Sequence, residues 1–560
     1  MRLAIAFGLL ALASPGVVAA PGSATVALAA VALWASTASR PGPLAGSIEV
    51  LLGGLAWSWI CSWAAYVWWG TLLIIGPGMG LYTLLAGWSL RRLSRRWPLT
   101  LAAPAAWMLS EGLRSLLPPP FGFQWMRLGT HLNDVWPLAG SASVWGIGGL
   151  GFVLAALAGF LAQVASRQRL GLTSWVCGVG PVLLGLLLTF LERPPPFVDG
   201  PRLLLVQPAI PQARKMQGRD PAELFAELVE LTRTGLAEAR RGGGGAPDLV
   251  CWSETMLPAF VADPDLPEAA ERGARFPPWR RVDWGPDSFR AVLAQQRAWV
   301  DRTLLGAGRR AGVVPEGTAF LAGAEYLTAV DGVVRRLNAV LLWPGPGEPR
   351  GPVGKLYLVP GAETMLGLER IAAVREVIGE IAGYLPDLHA DPSAPRTLEL
   401  PGRAGRSWRF SVAVCFDNAF DAPFTRPLRE GPVDFHLVVS NEAWFRNSLE
   451  LDQMVAFSRL EAIATHRTVV RATNSGVSTV LAPDGRELTR LRVGGRDREV
   501  SGTLDVVVPV PASPGQAGGT LFVRWERCWA GLWILAPVLL LGVAARPRRE
   551  RSPRPVTRAG

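Results

Sequence analysis

Lysine is almost absent from this chain. Of its 56 basic residues only Lys215 and Lys355 are lysines, and all the others are arginines. A planar guanidinium cannot replace a compact ammonium in a tight pocket beside another reactive group. We therefore interpret Lys355 as a functional residue, and the role of Lys215 stays open.

Cysteine is also scarce, with five residues in 560. The number is odd, and neither a CxxC pair nor an HExxH sequence occurs, so the pattern fits no disulfide framework and argues against a metal site. The glycine tract 242–245 is not followed by the Lys–Ser/Thr of a phosphate-binding loop, which favours a turn or linker. We expect no metal and no cofactor.

Charged residues are missing from several long stretches, and a membrane-spanning helix needs roughly 20 mostly apolar residues. The first two stretches are long enough for two helices each, and the other three for one each. A further candidate at about 99–117 carries Glu111 and Arg114. We predict about eight spans, seven before residue 193 and one after residue 527. The charge-free stretches are 3–39, 50–90, 135–166, 170–191 and 528–545.

The chain is too long for one hydrophobic core, so several domains are expected. We predict a membrane domain at 1–192 with about seven helices and a soluble domain at 193–527. A last transmembrane helix at 528–545 and a basic tail at 546–560 would follow.

Arginine distribution predicts the orientation. The segments after the fourth and sixth candidate spans and the tail are rich in arginine, and such segments face the cytoplasm. The chain is then a multi-pass protein of a bacterial inner membrane, with domain 193–527 on the periplasmic face. A nucleic-acid role for the tail is disfavoured beside an apolar span. A cleaved signal peptide at 1–20 would leave the orientation unchanged, and we expect that segment to be retained.

Between residues 193 and 527 the pattern is typical of an α/β domain. Apolar runs at 202–208, 248–254, 409–417 and 434–445 predict strands, and 221–241 and 448–468 have helical spacing. A hairpin is predicted around 474–476.

Three residues that can do chemistry lie at predicted strand ends or loops: Glu254, Lys355 and Cys415. A thiolate can attack a carbonyl, a carboxylate can take and return its proton, and an ammonium can stabilise the developing oxyanion. Each also has an ordinary interpretation: a solvated carboxylate, a surface lysine and a buried thiol.

The stretches "WSET", "GKLYLVPGAE" and "VAVCFDNAF" resemble, in that order, the Glu–Lys–Cys signature of the nitrilase, or carbon–nitrogen hydrolase, superfamily over about 200–510. The stretches "WMLSEGLR", "VQPAIPQ", "VSNEAWF" and "RATNSGVS" resemble apolipoprotein N-acyltransferases, and this resemblance covers nearly the whole chain. The implied fold is a polytopic helical bundle carrying a nitrilase-like α/β sandwich.

The resemblance implies an acyltransferase of lipoprotein maturation with a ping-pong mechanism. Cys415 would take an acyl chain from a membrane phospholipid, commonly phosphatidylethanolamine, as a thioester. The α-amino group of the diacylglyceryl-cysteine of an apolipoprotein would then receive it. Glu254 would be the general base and Lys355 the oxyanion stabiliser. We expect a monomer that needs no nucleic acid.

Supporting roles follow from the same resemblance. Glu363 and Asn338 match residues near the family's site. Asp417 stands where the family often has Glu, and Phe416 where it often has Tyr. Segment 263–301 is longer and more charged than the resemblance leads us to expect, and we interpret it as an extra loop near the entrance.

Three alternatives remain at this stage. A membrane-tethered amidase could use the same three residues with water as the acceptor. A transporter or binding protein could use the bundle for a ligand and the outer domain as a receptor. Glu111 and Arg114 within a span would support it, although at this spacing they can pair with each other. A Cys–His hydrolase could use His436, but this histidine lies in an apolar run and is predicted to belong to the core.

Overall fold

The structure is a computed structural model. It describes residues 1–18, 22–39, 44–118, 121–216, 220–243, 245–280, 282–307, 311–382, 386–392, 396–402, 405–513 and 519–546. The predicted basic tail therefore lies, apart from its first residue, outside the described residues.

The apolar parts of the chain form a bundle of helices. Its members pack through small and aliphatic side chains, and many leucines on the outer surface are exposed. An apolar exterior is typical of helices that face lipid. The bundle helices are α1 Arg2–Leu12, α2 Gly22–Ala38, α3 Ala45–Ile60, α4 Leu72–Leu93, α5 Leu99–Leu116, α6 Ala142–Ala165, α7 Leu172–Gly178, α8 Gly180–Leu191 and α16 Leu521–Ala545.

The prediction of about eight spans is only partly met. All the predicted apolar stretches contain helix, but among the described residues just four segments are long and apolar enough to cross a membrane: Trp69–Leu93, Leu138–Ala165, Leu172–Leu191 and Leu521–Ala545. Helices α1, α2 and α3 are shorter, and α5 carries two charged residues. An 11-residue helix is about 16 Å long, whereas the hydrocarbon core is about 30 Å thick. Each of the first two charge-free stretches was counted as two spans, but helices α1, α2 and α3 in or overlapping them have 11, 17 and 16 residues, because turns and short helical segments take up the rest.

The segment between the bundle helices is an α/β sandwich, as predicted. In the described residues a seven-stranded sheet has the order β13-β1-β2-β4-β5-β6, with β3 paired to β4, and a six-stranded sheet has the order β12-β11-β10-β9-β8-β7. The strands are β1 Phe197–Gln207, β2 Leu249–Trp252, β3 Val261–Ala262, β4 Ala319–Val330, β5 Val333–Trp343, β6 Arg350–Gly354, β7 Thr397–Pro401, β8 Ser407–Val414, β9 Phe435–Ser440, β10 Thr468–Thr473, β11 Thr479–Leu481, β12 Glu487–Arg490 and β13 Gly502–Pro511.

The two sheets face each other across an apolar core, and helices cover their outer faces. Strands β1, β2 and β4 pair in parallel, as do β8, β9 and β10, so the central strands are buried on both sides and read as continuous apolar runs. The covering helices include α10 Pro221–Arg241, α14 Ala422–Glu430 and α15 Leu449–Thr465. Pro221 opens α10, and the Asp220 side chain accepts a hydrogen bond from the amide of Ala222. Four further helices of the described residues lie in connections: α9 Gln212–Met216, α11 Leu266–Glu271, α12 Pro286–Gln296 and α13 Ala372–Ala382.

The charged segment 263–301 is folded rather than a loop. Helices α11 and α12 and a following π-helical stretch, Arg297–Leu304, pack against the extended β4–β5 hairpin. Phe276 and Phe289 are buried in a small core of this segment. We call residues 260–304 the insert.

The bundle and the sandwich are joined by buried polar contacts. The Oε1 atom of Gln453 on α15 accepts hydrogen bonds from the indole N–H groups of Trp63 at 3.1 Å and Trp125 at 2.6 Å. Its Nε2 donates to the carbonyl of Ile60 at 3.0 Å. Asp421 at the start of α14 pairs with Arg127 through both carboxylate oxygens. The sandwich is thus held against the α3–α4 and α5–α6 connections.

Candidate active site

The structure brings Glu254, Lys355 and Cys415 together at one edge of the sandwich. Glu254 follows β2, Lys355 follows β6 and Cys415 follows β8. The parallel strands β2 and β8 belong to different sheets, and their carboxyl ends meet at this edge, where open α/β folds commonly place functional groups. The three predicted residues are therefore neighbours, although 161 positions separate the first from the last.

Lys355 is a buried cation held by carboxylates. Its side chain is 1% exposed. Nζ donates to Oε1 of Glu363 at 2.8 Å and lies 3.5 Å from Oε1 of Glu254. Burial alone would lower the pKa of Lys355, but the attraction of Cys415 in its thiolate form and of the Glu363 and Glu254 carboxylates outweighs it and raises that pKa well above its usual value. The lysine is thus kept as an ammonium.

Glu254 is oriented from both sides. Its Oε1 accepts a hydrogen bond from Nδ2 of Asn338 at 2.6 Å, and its Oε2 accepts one from the backbone amide of Asn441 at 2.5 Å. Its backbone packs on Gly323 in β4, where an added Cβ would lie 2.6 Å from the Cα of Glu254. Only glycine leaves room for this close approach.

Cys415 has an unusual backbone conformation. It is 7% exposed and has φ +49°, in the left-handed region that a residue with a side chain seldom adopts. Such strain at a strand end is a marker of functional sites. Burial raises the pKa of the Cys415 thiol and the charge of Glu254 raises it further, while the ammonium of Lys355 opposes both, and the net shift is upward. The resting group is therefore a thiol, within the electrostatic influence of the Glu254 carboxylate.

Glu363 and Asn338 form hydrogen bonds with the candidate residues Lys355 and Glu254. Oε1 of Glu363 accepts from Nδ2 of Asn338 at 3.1 Å as well as from Lys355, and Oε2 accepts from the amide of Val359 at 2.9 Å. The Asn338 amide group bridges the carboxylates of Glu254 and Glu363. These two residues fix the distance between the two acids that flank the lysine.

Among the described residues, the Asp417 carboxylate forms hydrogen bonds with backbone amides next to Lys355 and Cys415 rather than with the reactive side-chain groups. Its carboxylate accepts from the backbone amides of Leu356 at 3.0 Å and Tyr357 at 2.7 Å, directly after Lys355. It also accepts from the amide of Val414 at 3.2 Å, directly before Cys415. One carboxylate therefore ties the lysine segment to the cysteine segment.

Sequence reasoning missed Arg396, which is fully buried beside Asp417. Its guanidinium donates to Oδ2 of Asp417 at 2.8 Å and to the carbonyl groups of Gly354 and Val412. It thus connects the ends of β6 and β8. Its local sequence has no feature that separates it from a surface arginine.

Three quoted stretches meet behind Glu254, although their polar residues were not singled out. Oδ1 of Asn441 accepts from Nδ2 of Asn474 at 2.8 Å, and Nδ2 of Asn441 donates to Gln212 at 3.1 Å. Asn474 also bonds both backbone groups of Ile210. The stretches "VQPAIPQ", "VSNEAWF" and "RATNSGVS" therefore form one network that supports the amide bonded to Glu254.

Lys215, the second lysine, lies over the same edge. Its Nζ donates to the carbonyl at 2.7 Å and to the hydroxyl at 2.8 Å of Thr255, the residue after Glu254. Burial lowers the pKa of Lys215 to about 8, against an opposing attraction from Glu254. Both lysines of the chain are thus found at the candidate site.

Phe416, the residue after Cys415, packs into an aromatic cluster. Its ring stacks on Trp125, with centroids 5.9 Å apart and planes at 20°. Trp63 contacts both Trp125 and Phe445 edge-on or tilted. We call Trp63, Trp125, Phe416 and Phe445 the aromatic cluster. It forms a continuous apolar contact from the bundle to the residue beside Cys415, and a hydroxyl at Phe416 would face apolar rings.

The residues considered for a transporter and for a Cys–His hydrolase have structural roles. Arg114 bonds Glu111 at 3.3 Å, and also the carbonyls of Phe123 and Trp125. The predicted pairing is confirmed, and these charges brace a connection. His436 is fully buried between Ser411 and Thr465, at 2.5 and 3.1 Å, and burial lowers its pKa to about 3. It is a core histidine, as predicted.

Comparison with known proteins supports the resemblance. Residues 7–161 match the family model of the apolipoprotein N-acyltransferase N-terminal domain. The chain is 26% identical over 453 residues to an apolipoprotein N-acyltransferase of Methylococcus capsulatus, covering 81% of this chain and 75% of that protein. It is 27% identical over 497 residues to one of Ralstonia nicotianae, covering 86% and 78%. Among solved structures, an amidase from Nesterenkonia sp. aligns with a TM-score of 0.33 and 16% identity, covering 60% of this chain and 98% of the amidase.

The model match lies in the bundle, whereas the similarity to the curated relatives extends over most of the chain and takes in the sandwich with its candidate site. By these matches the chain is related to the apolipoprotein N-acyltransferases, as its motifs indicated.

Proposed function

We propose that this protein transfers a fatty acyl chain from a membrane phospholipid to the N-terminal α-amino group of the diacylglyceryl-cysteine of apolipoproteins. The observation that carries the proposal is the grouping of Glu254, Lys355 and Cys415, buried at one edge of the sandwich and joined to the bundle by the aromatic cluster. The names of the relatives support the same reaction class.

In the first half-reaction Glu254 takes the proton of the Cys415 thiol, and the thiolate attacks the sn-1 ester carbonyl of the phospholipid. A C–S bond forms, and the carbonyl oxygen becomes an oxyanion beside the Lys355 ammonium. The ester C–O bond then breaks, and the departing alkoxide takes the proton from Glu254. The products are an acyl-cysteine thioester and a lysophospholipid.

In the second half-reaction the α-amino group of the lipoprotein attacks the thioester. Glu254 accepts a proton from the attacking nitrogen, a C–N bond forms, and Lys355 again faces the oxyanion. The C–S bond breaks, and the proton returns from Glu254 to the sulfur. Because one carboxylate serves both steps, its fixed position between Asn338 and Asn441 supports a two-step reaction at one site.

Both substrates are held in a membrane, and the four long apolar helices support a membrane location. We propose that residues 1–192 and 528–545 form the membrane part and that domain 193–527 faces the periplasm, with the arginine-rich tail in the cytoplasm. The aromatic cluster then provides the apolar route along which an acyl chain reaches Cys415. Phosphatidylethanolamine is the donor to test first.

Trapping the acyl group tests the first half-reaction. Purified protein is incubated with phosphatidylethanolamine carrying a labelled sn-1 chain, and the label is followed on the protein. We expect a hydroxylamine-labile label that peptide mass spectrometry locates on Cys415, and none on a folded Cys415→Ser variant, since a serine alkoxide is far harder to form. Absence of label from wild-type protein would overturn the proposal.

The acceptor is tested on the trapped species. A peptide with an N-terminal diacylglyceryl-cysteine should discharge the thioester into an amide, and the same peptide with a blocked α-amino group should leave it in place. Discharge by water at the same rate as by the amine would instead support the membrane-tethered amidase.

A further inference from the structure

Asp387 is a buried carboxylate held by two arginines from different parts of the chain. It is 8% exposed. Arg280 donates from Nε to Oδ2 at 2.8 Å, and Arg336 donates from Nη1 to Oδ1 at 2.8 Å. Arg336 lies on β5 two residues before Asn338, whereas Arg280 belongs to the insert. The insert thus reaches a buried charge that another element also binds.

The backbone after Asp387 is hydrogen-bonded to residues of the candidate site. The amide of Leu388 donates to the carbonyl of Glu363 at 2.8 Å, and the amide of Asp391 donates to the carbonyl of Lys355 at 3.1 Å. Asp387 itself forms an antiparallel bridge with Thr364, the residue after Glu363. The segment 387–391, which we call the return segment, therefore lies against the backbone of both residues.

The negative charge of the buried Asp387 is compensated by its arginine partners. Two guanidinium groups meet one carboxylate, and Arg336 is also paired with Glu325. Removing the Arg280 side chain would leave Asp387, within the described part of the chain, with one ion-pair partner, Arg336, which also pairs with Glu325. Removing one partner from a buried group of paired charges is strongly destabilising because it leaves charge uncompensated, and we expect the backbone at Asp387 to shift in response.

The insert holds Arg280 from its own side. The guanidinium lies 5.5 Å from the centre of the Phe276 ring, and Phe276 packs against the buried Phe289. A small hydrophobic core therefore fixes the position of the arginine that reaches the return segment.

We propose that the insert positions Glu363 and Lys355 through the Arg280–Asp387 pair. Arg280 and Asp387 are then positioning residues, which act through the return segment and touch no substrate. The expected effect on acyl transfer rests on the function proposed above. The expected effect on the environment of the Cys415 thiol does not depend on that function.

The test compares Arg280→Leu with Arg290→Leu. Arg290 is an exposed arginine of the same insert that pairs with Asp287 at 2.7 Å, so its loss removes an equal charge without touching Asp387. The first readout, which needs no lipid, is the rate of Cys415 alkylation by iodoacetamide at matched pH values up to about 10.5, because below the thiol pKa this rate follows the thiolate fraction. The second is the rate of thioester formation from phosphatidylethanolamine.

We expect Arg280→Leu to shift the alkylation profile to higher pH, because a displaced Lys355 stabilises the thiolate less. Thioester formation should fall on the order of tenfold to a hundredfold, as for other small misplacements of reacting groups. Arg290→Leu should leave both readouts at wild-type values. Arg280→Lys, which keeps a cation, should restore part of the loss, and Asp387→Asn combined with Arg280→Leu should cost less than the sum of the two single changes.

A folded Arg280→Leu protein with an unchanged alkylation profile and unchanged thioester formation would overturn the inference. The inference would also be overturned if the losses caused by Asp387→Asn and Arg280→Leu simply added in the double variant. A third outcome separates the two proposals. If the wild-type protein forms no thioester, the proposed function is contradicted. If Arg280→Leu still shifts the alkylation profile, the positioning role is supported all the same.

Discussion

Arg396 donates a hydrogen bond from Nη2 to Oδ2 of Asp417 at 2.8 Å, and both side chains are completely buried. The pair lies where the ends of β6 and β8 meet, so it holds Lys355 and Cys415 in a common frame. Breaking a buried charged pair by removing one partner is strongly destabilising.

Substituting Asp417 by asparagine should destabilise the protein and abolish most acylation. The amide leaves Arg396 as an unpaired buried cation, which costs about 3–5 kcal/mol, and it releases the backbone after Lys355. Thermal unfolding in detergent and thioester formation measure the two effects. Asp452→Asn is the matched control, because Asp452 pairs with Arg498 at 3.0 Å near the surface, where an ion pair contributes about 0–1 kcal/mol. Equal loss of stability in both variants would contradict the role assigned to the pair.

Lys355→Arg should keep the charge and lose the reaction. The pocket around Nζ is closed, with Glu363 at 2.8 Å and Glu254 at 3.5 Å, and a planar guanidinium cannot present one donor at that point. Removing one oxyanion donor costs about 10²–10³ in rate. Pre-steady-state thioester formation measures this, with Lys215→Arg as the comparison, which we expect to lose much less because its contacts are to Thr255. Near-normal acylation in a folded Lys355→Arg protein would remove the lysine from the mechanism.

Glu254→Gln should change alkylation and acyl transfer in opposite directions. The Glu254 carboxylate is one cause of the raised pKa of Cys415, second to burial, so its neutralisation lowers the pKa of the thiol. The thiolate fraction then grows at a fixed pH below the wild-type pKa, and iodoacetamide should react faster. Thioester formation should fall by about 10²–10⁴, because an amide cannot accept the proton. If both rates fall together, the variant has disturbed the site rather than removed a base.

Gln453→Leu should loosen the contact between the bundle and the sandwich. Its carbonyl oxygen is the acceptor for the indole groups of Trp63 and Trp125, and each buried donor left without a partner costs about 1–3 kcal/mol. We expect a lower unfolding temperature and faster proteolysis of the sandwich. Gln295→Leu, at an exposed position of α12, should change neither quantity. A stable Gln453→Leu protein would show that the aromatic contacts alone hold the two parts together.

Reporter fusions test the proposed orientation. A reporter joined after residue 558 should be active only in the cytoplasm, and one inserted into the glycine tract 242–245 only in the periplasm. The arginine-rich segments predict that residue 558 lies in the cytoplasm. The glycine tract lies on the opposite side only if the chain crosses the membrane an odd number of times between the two sites. Activity of both reporters on the same side would rule this topology out.

Local pattern was enough to predict several elements of the sandwich. The helix predicted at 221–241 is α10, because Pro221 at its start and apolar residues at helical spacing are local signals. The predicted hairpin around 474–476 connects β10 and β11. The span count was less predictable, because composition does not show where a charge-free stretch turns. Segment 263–301 was interpreted as a loop because of its length and its many charged residues, which hide the few apolar side chains of its small core.

Residue type and position along the chain identified Glu254, Lys355 and Cys415 as candidates, since strand ends, scarce lysines and quoted motifs are all local properties. Only the tertiary structure decided which groups surround them. Arg396, Asp387 and Arg280 lie at unremarkable places in the sequence, and they meet the site through contacts that span up to 107 positions. Such contacts arise from the packing of the two sheets and the insert. Arginine and aspartate are usually exposed, so no local sequence pattern shows which of them will be buried and paired.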